Sequence, residues 1–283
     1  MTATEGHPDP RIEKILVALD ASPHSRAALR AAINLAGRLG SELEGLFVED
    51  ALLVSPVGGA FAREVGLHTG RARRLGPGEL ERQVRAERAW AKRKFQAAAE
   101  RAHLRGRFAV ARGRVAHEVV RRASEADLLI LGKRSSSLVI RGRMGSTARA
   151  VLAQATSMAL LVEADACLGP PTVVVFDGEP GGSKALRTAL RVTDPGEELV
   201  VLVAGQDADG HRALRDRARS AMDRDPERVR YRRLDRAGIA HLASALEEER
   251  CGLLVLPSES PALTPRTLAE LLEQLDVPVL VVR

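Results

Sequence analysis

The chain repeats itself, and a repeat of domain length restricts the fold more than any other feature of the sequence. Lys14-Ile15-Leu16-Val17-Ala18-Leu19-Asp20 aligns without a gap on Pro171-Thr172-Val173-Val174-Val175-Phe176-Asp177, each an apolar run closing on aspartate. Eight residues after each aspartate comes Ala-Leu-Arg, at Ala28-Leu29-Arg30 and Ala185-Leu186-Arg187, so both features share an offset of 157 residues. Asp127–Gly132 then matches Gly252–Pro257. Val151–Gln154 matches Leu271–Gln274, ahead of closing apolar runs at Met158–Val162 and Pro278–Val282. One unit is used twice. A chain of 283 residues accommodates two domains of ordinary size. The punctuation Gly169-Pro170-Pro171 sets the division at 1–167 and 168–283.

Within each unit, short apolar runs alternate with helical patterns, which predicts an α/β fold with a parallel sheet and crossover helices. The expectation is two tandem open parallel five-stranded sheets with flanking helices, Rossmann-like, in strand order 3-2-1-4-5. In the first unit the strands fall near 14–19, 43–48, 107–111, 127–131 and 158–162. The helices fall near 23–39, 79–104, 115–124 and 146–155. Ser22 suits an N-cap, Pro23 a first helical turn and Gly40 a helix stop. The second helix carries Leu80, Val84, Ala91, Phe95, Ala98 and Ala102 on its apolar stripe, with Trp90 off it. Residues 51–78, rich in Gly, Pro and Arg, form a long insertion. Phe61–Leu67 and Arg71–Leu75, around His68-Thr69-Gly70, read as a small hairpin within it.

Composition removes several function classes. Hydrophobic residues make up 45% and charged residues 28%, a globular balance rather than a disordered one. No apolar run reaches the roughly 18–20 residues that cross a bilayer, and the polar, proline-broken segment 1–14 lacks the apolar core of a signal peptide. Cys167 and Cys251 stand far apart, with no spacing for a disulfide framework or a zinc site, so a reducing, cytoplasmic setting is expected. The net charge of +6 is unevenly placed: residues 1–167 hold 27 Lys and Arg against 18 Asp and Glu, residues 168–283 only 16 against 19. The first half is therefore the one suited to an anion. Nine of its basic residues crowd into 71–94, which reads as the wet face of helix two and its leader. Aromatic content of 2% leaves few platforms for stacking bases, so nucleic acid ranks last among partners. The seven histidines show no ligand spacing and read as surface residues.

The most informative stretch follows the fourth strand, Leu131-Gly132-Lys133-Arg134-Ser135-Ser136-Ser137 through Arg141-Gly142-Arg143-Met144-Gly145-Ser146-Thr147. Glycines end the strand and open the next helix, with hydroxyl and basic residues between them. Glycine allows close backbone approach, exposed amides make an anion nest, and the helix start adds free N–H donors. In the order 3-2-1-4-5 the switch point lies between strands one and four, which brings Asp20 opposite Gly132. Asp20 can accept from ribose hydroxyls or a base edge, while Phe47 and Val48 wall the base. The plain alternatives are turn glycines, a capping Asp20, and a solvated charged loop at Lys133, Arg134, Arg141 and Arg143.

These residues resemble the universal stress protein family, whose motif is Gly-x2-Gly-x9-Gly-(Ser/Thr). Gly132, Gly145 and Ser146 keep its spacing, with Ser135 at the second glycine position. Ile15–Ser22, Phe47-Val48-Glu49-Asp50 and Asp127–Gly132 are similar too. The resemblance implies an adenine-nucleotide-hydrolase-like fold and an internal pseudo-dimer in which Met158–Val162 pairs with Pro278–Val282. A homodimer beyond that pairing stays open. It also implies ATP or a related nucleotide, with Mg as a companion, held by Ala18, Asp20, Val48, Gly132, Arg134, Ser135, Gly145, Ser146 and Thr147. Such a chain acts as a regulator that signals through a protein partner. No catalytic constellation stands out, although slow ATP hydrolysis stays open if Asp20 or loop oxygens share a metal with the triphosphate. In the second unit Pro257 and Pro265 replace the glycines and the intervening loop shortens from twelve residues to seven, so the nest is lost. The alternative function is a scaffold or adaptor of the same fold with an eroded site, docking through 51–78.

Overall fold

The computed structural model describes residues 11–51, 63–65, 72–74, 77–134, 144–205, 207–222, 224–234, 239–260 and 265–283. The chain divides into two compact units. Lys14–Ala166 form one, and Cys167–Arg283 form the body of the other.

The first unit opens with β1 (Lys14–Leu19), α1 (Pro23–Leu39) and β2 (Glu42–Asp50). A two-stranded antiparallel hairpin follows, β3 (Arg63–Val65) with β4 (Ala72–Arg74), inside the predicted hairpin segment; the rest of that insertion, 52–62, 66–71 and 75–76, lies outside the described residues. The unit continues with α2 (Pro77–Arg101), β5 (Gly106–Gly113), α3 (Val115–Ala123), β6 (Leu128–Gly132), α4 (Ser146–Gln154) and β7 (Met158–Val162). Its main sheet runs β7-β6-β1-β2-β5, entirely parallel. Read from the other edge this is the expected 3-2-1-4-5.

The reasons are local and then tertiary. Ile15, Leu16 and Val17 are buried, as are Leu128 to Leu131, because a central parallel strand covered on both faces needs apolar side chains on both. α1 is punctuated as the sequence suggests: Ser22 Oγ accepts from Ser25 N–H, Pro23 fills the first turn, and Gly40 closes it at φ 67° with its N–H on Ala36. α2 seats on the sheet through Phe95, whose ring lies 5.8 Å from that of Phe108. Gly45 in β2 makes room, since a Cβ there would come within 2.6 Å of the Phe95 ring. Beneath β2, Glu44 is 2% exposed and ion-paired with Lys14 at 3.1 Å, Arg107 at 2.9 Å and Arg122 at 3.2 Å.

The second unit repeats the plan with β8 (Thr172–Phe176), α5 (Pro180–Val192), β9 (Leu199–Val203), α6 (Ala208–Ser220), β10 (Val229–Arg233), α7 (Ile239–Glu248), β11 (Leu253–Pro257), α8 (Pro265–Gln274) and β12 (Val279–Val282). Its order is β10-β9-β8-β11-β12, again 3-2-1-4-5 and parallel. Every residue of β8, β9, β11 and β12 is buried. The edge strand β10 is charged instead: Arg230 and Arg232 pair with Glu249 at 2.7 and 3.0 Å, which suits an edge that must not recruit another strand. Among the described residues no helix is long and apolar enough to cross a membrane. Both cysteines are free, and burial pushes the Cys251 thiol up to about 12.

Candidate functional site

The carboxyl ends of β1, β6 and β7 define the site. β1 pairs with β6 in the register Ile15↔Leu128 to Val17↔Ile130, and β6 pairs with β7 up to Gly132↔Val162. Asp20, Lys133 and Glu163 are thus the residues just past three neighbouring strand ends. The loop leaving β6 is tied at its base, because Lys133 N–H donates to the Val162 carbonyl at 2.9 Å and Gly145 N–H donates to the Lys133 carbonyl at 2.8 Å. Met144, fully buried, anchors the returning strand of that loop. Gly145, at φ −73° and ψ 160°, is the N-cap of α4 and has no side-chain cap hydrogen bond to satisfy the first-turn amides.

The predicted residues fall as follows. Gly132 and Gly145 meet at the two ends of the tied loop, with the exposed Ser146 and half-buried Thr147 opening α4. Ser135, with Arg141 and Arg143, lies outside the described residues. Ala18 and Val48, both half-buried, sit near the ends of β1 and β2, in register with Leu46 and Ala111 respectively. Asp20 is half-buried: its Oδ1 accepts Ser22 N–H at 2.9 Å, and its own N–H donates to Ser25 Oγ at 2.9 Å. Asp177 makes the same turn in the second unit, accepting Glu179 N–H at 3.0 Å, so the repeated aspartate has a local structural task in both halves. The second unit also keeps the loop's first tie, Ser258 N–H to the Val282 carbonyl at 2.7 Å.

Two residues that sequence reasoning passed over occupy this region. Gly132 is crossed closely by the first turn of α1: a Cβ there would lie 2.6 Å from His24 Cβ and 3.0 Å from the His24 carbonyl carbon. The glycine therefore admits a helix, and the space in front of it belongs to His24. Glu163, 8% exposed, gathers two local cations and an imidazole. Lys133 Nζ is 3.0 Å from Oε1, while Arg134 Nη2 and His24 Nδ1 are each 3.4 Å from Oε2. Lys133, for which a solvated charged loop is the plain alternative to a place beside the anion site, is only 2% exposed, because its aliphatic stem must pass the strand ends to reach that carboxylate. His24, read as a surface residue, is tucked between the Gly132 turn and Glu163. Burial pulls its imidazole below the ordinary value, with Glu163 pulling upward and Arg134 adding to the downward push.

The sequence carried a signal for both. Each of Asp20, Lys133 and Glu163 directly follows an apolar run, and the order 3-2-1-4-5 puts those three runs side by side. His24 follows the Ser22-Pro23 cap and must share the first turn of α1 with it.

An open parallel sheet of this order, with a tied loop and a helix start at its switch point, defines the doubly wound α/β class. The profile of the universal stress protein family matches residues 11–163, and the chain belongs to that family. No curated protein sequence matches it significantly. Among solved structures, a universal stress protein from Archaeoglobus fulgidus DSM 4304 is similar at a TM-score of 0.73 with 16% identity, covering 96% of this chain and 99% of that one. Another, from Pseudomonas aeruginosa UCBPP-PA14, is similar at 0.57 with 14% identity, covering 98% and 95%. At these identities the likeness concerns the fold.

Proposed function

We propose that the first unit holds ATP or a related nucleotide and passes its bound state to a protein partner. The base lies beside Ala18, Asp20 and Val48, and the phosphates lie at the loop from Gly132 through Arg134 and Ser135 to Gly145, Ser146 and Thr147. The observation that carries this reading is the tie between Gly145 and the Lys133 carbonyl at 2.8 Å. It holds a helix start whose glycine cap offers no side chain to the first-turn amides, beside two cations, and such amides together with the helix dipole favour an anion. Gly132 contributes by admitting α1 and His24 rather than by touching phosphate. Mg would arrive with the triphosphate, since among the described residues no group of three His, Cys, Asp or Glu is placed to hold an ion. The second unit, with prolines at both glycine positions, acts as a degenerate universal stress domain and structural partner.

A second reading, a scaffold with an eroded site, is favoured by Glu163. That carboxylate already sits among Lys133, Arg134 and His24, where an incoming phosphate would have to compete with it. Titration calorimetry with MgATP separates the two. Under the nucleotide reading the wild type gives a saturable one-to-one heat that Gly145→Glu abolishes. No heat at millimolar MgATP retires that reading and leaves the scaffold.

A further inference from the structure

We infer that the groove between α1 and α2 is a binding site for a small amphipathic anion, an apolar chain ending in a carboxylate. The groove has a volume of about 470 Å³, within the range of natural small-ligand sites. Its apolar wall comes from Leu19, Leu29, Ile33, Ala91, Ala98 and Ala102. The spacing on each helix is that of a single face, as with Leu29 and Ile33 on α1 or Ala91 and Ala98 on α2, with Ala102 just past the end of α2. Trp90, off the apolar stripe of α2 that meets the sheet, is half-buried here and lines the same groove.

Charge decides the head group. Arg26 and Arg30 from α1 and Lys94 and Arg101 from α2 line the groove, against one carboxylate, Asp20. Arg30 is partly engaged, its Nη2 lying 3.4–3.5 Å from the carbonyls of Ala164 and Ala166, and Arg101 Nε donates to the Ala97 carbonyl. Arg26 and Lys94, one on each helix, are exposed and have no side-chain ion pair among the described residues. Two cations, one from each helix, beside an apolar wall complement a carboxylate with a hydrocarbon tail, because charge-assisted contacts fix the head while the tail leaves water. The wall contains no amide side chain, and its one hydroxyl, Ser25 Oγ, already accepts the Asp20 N–H, so the groove is read chiefly by its cations and its apolar wall. The inference does not depend on nucleotide binding at the loop after β6.

Sodium decanoate, kept below its micelle concentration, tests it on the full chain. Trp90 is the sole tryptophan and therefore reports directly. The expected result is a saturable one-to-one shift in Trp90 emission that decanol reproduces at least tenfold more weakly. Arg26→Glu with Lys94→Glu, both on exposed positions, should weaken decanoate at least tenfold while leaving the circular dichroism spectrum intact. No saturable shift, equal binding of decanol, or indifference to the double substitution overturns the site. So does co-sedimentation with anionic phospholipid vesicles when monomeric decanoate leaves Trp90 unmoved.

Discussion

Lys133 Nζ and Glu163 Oε1 lie 3.0 Å apart at the carboxyl edge of the first sheet, with both side chains almost wholly removed from water. The register Gly132↔Val162 brings the two residues side by side, since each directly follows its strand's last paired residue. A carboxylate held there draws on the same cations that an anionic ligand would use.

Glu163→Gln should therefore raise affinity for MgATP several-fold, because Lys133 and Arg134 no longer have a resident carboxylate to leave. The same change should cost about 1–3 kcal/mol of stability, the usual loss when a buried polar group is left without its partner. Calorimetry and urea unfolding on one preparation read both effects. Unchanged or weaker ATP binding would count against the competition.

The His24 imidazole has its folded value below its unfolded one, chiefly through burial. The folded state thus binds the proton less well than the unfolded chain. This stability is complete above the unfolded value near 6.5 and is lost as the pH falls through the folded value. Thermal midpoints measured between pH 8 and pH 5 should fall more steeply for the wild type than for His24→Asn. Parallel curves would show that His24 does not control this range.

Glu44 behaves similarly at lower pH. Burial alone would raise its carboxyl, but hydrogen bonds from Arg107 and Lys14 and the charges of Lys14 and Arg122 prevail and hold it below the usual value. Its contribution is present above the unfolded value of about 4.5 and disappears as the pH falls through the folded one. Glu44→Gln should cost about 1–3 kcal/mol at pH 7, the range for hydrogen bonds to charged groups, and much less at pH 3. A loss of equal size at both pH values would assign the effect to packing.

Gly45→Ala should destabilise by about 1–3 kcal/mol, the usual cost of overpacking a filled core. The added Cβ meets the fully buried Phe95 ring at 2.6 Å. Adding Phe95→Leu should restore part of the thermal midpoint. If Gly45→Ala is neutral, α2 is not seated through that contact.

The sequence by itself determined the alternation of elements, the 157-residue repeat and the punctuation of α1 at Ser22, Pro23 and Gly40. These depend on period, propensity and capping within a few residues of one another, so they are written locally. Given the order 3-2-1-4-5, it also placed Asp20 and Gly132 on neighbouring strands, and the pairing of β1 with β6 has them there. Only the tertiary structure decided what stands between them. That His24 fills the space before Gly132, that Lys133 turns inward to Glu163, and that Trp90 lines a basic groove with α1 all depend on side chains far apart in sequence. Such contacts are selected by which rotamers fill a shared volume and which buried charges find partners, and no local pattern encodes either.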